Sequence, residues 1–229
     1  MSKHLERDLT SLRNELLTQF GIVEEMFERA IDALVERRDQ AAEEVLASDE
    51  LVDSREVRIE EECLKILALH GPVARDLRWL ATVIKINSDL ERIGDLACAI
   101  ADRALALSRF PLFPIPPDLR SMVQASSIMV RQAVDAFIEQ NIELAKHVVG
   151  GDDQVDALNR EVIEELRDSI KDDVGHADAA LHCFSAARNI ESIADLAVSI
   201  AEDVVYLVEG DIIRHRHRSL SSEEQETGH

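Results

Sequence analysis

The sequence predicts an all-α protein, six long antiparallel helices arranged as two three-helix units. Three observations carry that expectation. Apolar residues make up 46% of the 229-residue chain but aromatics only 3%. Leu, Ile, Val and Ala must therefore fill the interior, which suits helix packing better than sheet cores, since those lean on aromatic and β-branched side chains. Apolar positions also recur at threes and fours over long stretches, the period of one helix face. Finally, the plan occurs twice: Asp89-Leu90-Glu91-Arg92-Ile93-Gly94-Asp95-Leu96-Ala97 returns as Asn189-Ile190-Glu191-Ser192-Ile193-Ala194-Asp195-Leu196-Ala197.

The first helix is expected from about Lys3 to Arg37, where Leu5, Leu9, Leu12, Leu16, Phe20, Val23, Phe27, Ile31 and Leu34 form one stripe. Asp39 is a plausible N-cap for the second, which runs to about Leu69. In His70-Gly71-Pro72 the glycine offers a C-cap and the proline opens the third helix, about Pro72 to Ser108. Connections this short make the three helices antiparallel neighbours. Phe110-Pro111-Leu112-Phe113-Pro114-Ile115-Pro116-Pro117 cannot be helix, because its four prolines lack donors and fix φ. It reads as a stiff spacer between packed units. The plan then repeats, with a fourth helix over Asp118–Glu139, a fifth over Asn141–Asp172 and a sixth over His176–Glu209, punctuated by Gly175 and Gly210. The expected organisation is residues 1–108 as one bundle, 109–117 as linker, 118–210 as a second bundle and 211–229 as a polar, solvated tail.

The repeated motif places Glu91 one helical turn from Asp95, and Glu191 one turn from Asp195, each pair on a single side. With about 100° per residue and Leu90 as zero, Ile86, Ile93, Ala97 and Ile100 mark the core stripe, and Glu91 and Asp95 fall at about 100° and 140° from it. The small residues Gly94, Cys98 and Ala101 lie between. A second correspondence is independent of the motif: Val45–Asp53 matches Val148–Asp156, aligning Asp49 with Asp152 and Asp53 with Asp156. Each half thus carries Asp-x-x-x-Asp on its second helix and Glu-x-x-x-Asp on its third. Should the two pairs of a half face one another, four carboxylates converge. That arrangement calls for a bound cation or a facing arginine.

The formal charge of −21 argues against nucleic acid and anionic lipid, which need a basic footprint, and favours cations. No apolar run approaches a membrane span and the start is charged, so a cytoplasmic protein with no membrane insertion is expected. Cys63, Cys98 and Cys183 are expected as small core residues. His70, His147, His176 and His182 have no ligand spacing and read as helix-end or surface residues. Carboxylate ligands suit Mg²⁺, Mn²⁺ and iron, and zinc less strongly. The Glu-x-x-His of di-iron bundles is missing, as are a phosphate-cradling loop and a nucleophile elbow, so no enzyme is expected.

Taken together, Arg75-Asp76-Leu77-Arg78-Trp79-Leu80, Ile84-Lys85-Ile86, both acidic motifs and Val205-Tyr206-Leu207-Val208-Glu209-Gly210 resemble the PhoU family of phosphate-signalling regulators. The resemblance runs from the first helix to Gly210. It implies a pair of pseudo-symmetric three-helix bundles and a negative regulator of the phosphate-starvation response and phosphate uptake. Such a regulator links a phosphate-import transporter, through its ATPase subunit, to a sensor histidine kinase. It further implies a homodimer and multinuclear iron or zinc sites. By position the metal candidates are Asp49, Asp53, Glu91 and Asp95 in the first half, and Asp152, Asp156, Glu191 and Asp195 in the second. The family often has His after the motif's Asp and Asn three residues further on. This chain instead has Leu96 and Ala99, then Leu196 and Ser199, which removes neutral ligands. A carboxylate-bridged di-metal oxidase and a purely structural helical dimer are the competing readings.

Overall fold

The computed structural model describes residues 3–110 and 113–210; the tail expected over 211–229 lies outside the described residues. Every regular element among them is a helix. The first half is α1 (Lys3–Glu36), α2 (Asp39–His70) and α3 (Arg75–Leu107), and the second is α4 (Asp118–Glu139), α5 (Ile142–Val149), α6 (Asp152–Asp172), a short 3₁₀ turn at Val174–His176, and α7 (Ala177–Glu209). The two halves are three-helix bundles as expected, with three corrections.

The fifth helix is two helices, because Gly150 and Gly151 interrupt it between α5 and α6. In the first half the matching residues are Ala47 and Ser48, and α2 continues through them. The third helix begins at Arg75 rather than at Pro72. Gly71 caps α2 at φ 53° and its N–H donates to Leu67 O, but Ala74 then also takes a positive φ of 47°, so the chain needs a second turning step before α3 can start. Asp39 is the first residue inside α2 rather than its N-cap, which is Arg38. There its charge sits at the positive end of the helix dipole, and its Oδ2 accepts from Ser108 Oγ at the far end of α3 (3.2 Å).

The helices form because each carries one apolar stripe, and the stripes bury together in a single continuous core. Phe27, Leu34, Ile59, Ile66, Leu80, Ile86, Leu90, Ile93 and Ile100 are fully enclosed in the first half. Small residues set the spacing: a Cβ on Gly94 would stand 3.3 Å from Val52 Cγ1, so glycine here is what lets α3 close on α2. The halves join along α3 and α7. Lys85 on α3 pairs with the buried Asp203 on α7 (3.0 Å) and lies over the Tyr206 ring, while Phe110 just past α3 packs on His182 near the start of α7. Those pairings fix α3 and α7 as antiparallel, which makes the halves related by an approximate two-fold axis crossing the seam. Glu36–Arg120 and Glu24–Arg131 likewise set α1 antiparallel to α4.

The described part of the proline-rich stretch is held at both sides. Arg37, in the left-handed region at φ 53°, donates to Phe110 O (3.0 Å) and Phe113 O (3.3 Å), and Phe113 is buried.

Candidate metal centre

In the first half, α2 and α3 run antiparallel in close contact, so the i, i+4 carboxylates of one meet those of the other. Asp49, Asp53 and Asp95 each bring a carboxylate oxygen within 4.8 Å of the others. Burial pushes the Glu91 carboxyl up to about 7, with the Asp95, Glu56 and Asp53 charges adding to it. Asp95 is also raised, by desolvation and then by Asp49 and Asp53. Protonated Glu91 donates to Asp95, a shared proton that relieves part of the repulsion.

One neighbour was not picked out from the sequence, and a second was expected in the core. Glu56, one turn beyond Asp53, is raised by burial and by Glu60, Asp53 and Asp95. The signal for it was available, since Asp49, Asp53, Glu56 and Glu60 follow helical spacing on α2. Cys98 is half-buried and its Sγ donates to Asp49 Oδ1 (3.4 Å), so it borders the carboxylates instead of filling the core as expected. Burial and the Asp49 charge hold its thiol at about 12. Cys63 and Cys183 are buried as anticipated.

The second half repeats the geometry with a different charge balance. Asp152 opens α6 with Oδ1 buried and without a hydrogen-bond partner. Its carboxyl is pushed to about 6, first by burial and then by Asp195, Asp156, Asp153 and Glu191. The other three candidates of this half therefore all act on Asp152. A cation is already present, however: Arg188 Nη1 donates to Glu191 Oε2 (2.6 Å) and lowers Asp195, opposing the burial and Asp156 that raise it. Ser88 occupies the equivalent place on α3. Among the described residues none of Asp49, Asp53, Glu91 and Asp95 has an ion pair.

The donor set fits a hard or borderline divalent cation, which would replace both the missing partner of Asp152 and the uncompensated charge around Asp95. The clefts lie elsewhere. One of about 420 Å³ opens between α1 and α4, lined by Glu28, Asp32, Gln124 and Ser127, and its Arg120 and Arg131 are already paired with Glu36 and Glu24. No described helix is long and apolar enough to cross a membrane.

Comparison with known proteins accounts for both halves. A family model described as the PhoU domain matches residues 16–104 and 119–204. A protein of Aquifex aeolicus called phosphate-specific transport system accessory protein PhoU homolog is 37% identical over 215 residues, 93% of this chain and 96% of that one. Its namesake in Pseudomonas aeruginosa is 34% identical, covering 99% and 94%. The crystal structure of PhoU from Pseudomonas aeruginosa superposes with a TM-score of 0.86 at 34% identity, over 90% of this chain and 99% of that one. That of the phosphate transport system regulatory protein PhoU from Streptococcus pneumoniae gives 0.84 at 26% identity, over 91% and 99%.

Proposed function

The chain belongs to the PhoU family, and from that premise we propose that it regulates phosphate uptake as a negative regulator of the phosphate-starvation response. It does so by contact between a phosphate-import transporter, at its ATPase subunit, and a sensor histidine kinase, in the cytoplasm and as a homodimer. The observation that carries this reading is the match of both halves, at more than nine-tenths of both chain lengths, to proteins named as accessory to a phosphate-specific transport system. The fold supports action by contact rather than by catalysis. Asp53 and Asp95 are exposed on the helical surface, within reach of a partner's side chains.

The acidic motifs are metal sites in this reading. Asp49, Asp53, Glu91 and Asp95 would hold one group of ions and Asp152, Asp156, Glu191 and Asp195 the other, with iron, zinc, manganese and magnesium as the ions of suitable chemistry. When bound, the metal supplies positive charge that locks α2 to α3 and α6 to α7. The carboxylates' own contribution is to gather on one rim and to give up the proton shared by Glu91 and Asp95.

The deciding experiment is a reporter of phosphate-starvation genes in phosphate-replete medium. Deleting the protein should switch the reporter on. A silent reporter would refute the regulatory role. Elemental analysis of protein purified without chelator tests the metal separately.

A further inference from the structure

Away from the α3–α7 seam the halves barely touch, and a cleft of about 420 Å³ opens between α1 and α4. Two ion pairs span it, Glu36–Arg120 and Glu24–Arg131. They stand about 17 Å apart, the rise of the eleven residues of α4 between the two arginines, and turn the cleft into a basin closed at both ends. Its floor is apolar, formed by the buried Ile31 and Val123. Glu28 and Asp32, one helical turn apart, line the α1 wall, and Gln124 and Ile128 the α4 wall. None of the metal candidates lines it.

The charges inside do not cancel. Arg120 and Arg131 are each taken up by a glutamate at an end, and Arg131 reaches Glu28 only at 4.0 Å. Asp32 has neither an ion pair nor a hydrogen bond among the described residues. The arginines are thus engaged, while two carboxylates face an apolar floor. What fits is a cation on an apolar stem, and an arginine side chain is one, with a planar fork that suits paired carboxylates. A helix laid lengthwise would have to break the end bridges, so side chains enter from above. Ile128, 55% exposed at the rim, decides where such a cation comes from. A free polyamine would fill the basin and leave Ile128 in water, whereas a protein surface carrying the arginine covers both. A second copy docked about a two-fold axis would bring its own Glu28 and Asp32 to the same place. We propose that the α1–α4 basin docks another protein, through an arginine anchor seated between Glu28 and Asp32 with an apolar neighbour over Ile128. This rests on the reading that the chain works by protein contacts. Because α1 belongs to one half and α4 to the other, the anchor touches both halves at once.

The test uses the full chain in cells, with a photo-reactive residue in place of the exposed Gln124 and, as control, of the exposed Leu69 on α2. Adducts are expected from position 124 and not from 69, to a segment of another protein with Arg or Lys beside an apolar residue. Made as a synthetic peptide, that segment should bind the purified chain. Glu28→Gln with Asp32→Asn, and Ile128→Ser, should each weaken binding about tenfold. Removing two charges elsewhere, by Glu43→Gln with Glu61→Gln on exposed positions of α2, should leave it unchanged. Melting curves taken alongside show that the variants fold. Adducts only to another copy of this chain or to a segment without Arg or Lys overturn the proposal, as do the same adducts from both positions, no adducts at all, or peptide binding that the α2 pair weakens as much as the basin pair. Spermidine binding that Glu28→Gln with Asp32→Asn abolishes, without protein adducts, would give the basin to a small cation and overturn it too. A starvation reporter separates the two levels. If deletion has no effect, the regulatory reading fails; if deletion acts but the chain with Glu28→Gln, Asp32→Asn and Ile128→Ser behaves as wild type, this docking alone is wrong.

Discussion

Replacing Asp95 by Asn should stabilise the metal-free protein while removing its response to metal, two effects of opposite sign from one change. Asp95 stands within 4.8 Å of both Asp49 and Asp53. One such pair of charges repels by about 0.9 kcal/mol in water and about 3.5 kcal/mol at an effective dielectric of 20. Because Asp95 is exposed to solvent and salt, the low end applies, and the net relief is about 1 kcal/mol. For a chain of this length that raises the melting temperature by about 2–4 °C. Asn keeps an oxygen to accept from Glu91, so little is lost in exchange. Wild type at 100 times the dissociation constant for Mn²⁺ gains about 2.7 kcal/mol, or about 5–10 °C. The variant, short of a ligand, should gain little. Thermal melts by circular dichroism in chelator and then in Mn²⁺ read both effects. A lower melting temperature for the variant in chelator, or an undiminished rise with Mn²⁺, would refute the argument that these carboxylates are held together against repulsion.

Three further outcomes follow from the same structure. Glu91 sits at about 7 against an ordinary 4.5, and Asp152 at about 6 against 3.8, so between those values the folded chain holds more protons than the unfolded one. Metal-free stability should therefore fall as pH rises from about 4 through about 7 and level off above; melts across that range that are flat or rise would contradict it, and the Asp95→Asn chain should show a shallower fall. Lys85→Met should cost about 2 kcal/mol by leaving the buried Asp203 without its lysine at the seam between α3 and α7, read as a lower urea midpoint, with Asp203→Leu restoring much of the loss in the double variant. Gly150→Ala should stabilise by about 0.4–1 kcal/mol, since its backbone is right-handed and a Cβ there finds only ordinary contacts; Gly151→Ala should fall short of that gain, because its Cβ would press on Val148 O at 3.2 Å.

Long periodic segments were legible in the sequence because periodicity and packing agree in them. The fourth helix runs from Asp118 to Glu139 as expected, and the second overshoots its expected end by one residue. Where turn chemistry decides, the sequence was less direct. Nothing in Pro72-Val73-Ala74 announces a positive φ at an alanine, which only the tertiary constraint on the α2–α3 turn imposes. Gly150 and Gly151 were visible, but alignment with the uninterrupted first-half helix hid their effect. At the site, i, i+4 spacing was enough to pair carboxylates within a helix, and the repeat suggested that pairs would meet across helices. Glu56 and Arg188 stand at helical spacing from Asp53 and Glu191 on their own helices, whereas the contact of Cys98 with Asp49 crosses between helices and became visible only with them packed.

Arg188 is the residue that separates the two halves physically. Both scaffolds bring acid groups from neighbouring helices onto one rim, and in each the cost of doing so must be met. In the second half part of that cost is met internally, by a guanidinium three residues before Glu191, on the same helix. The first half has Ser88 in its place, and Glu91 and Asp95 share a proton instead. A proton leaves as pH rises and can be displaced; a guanidinium cannot be removed in this way. Any external cation, whether an ion or a lysine of another protein, therefore gains more at the first cluster than at the second. The duplication supplies two similar rims, and the exchange of Ser88 for Arg188, with Arg92 of the first half paired to Asp89, leaves the first without a built-in cation while the second carries one beside Glu191.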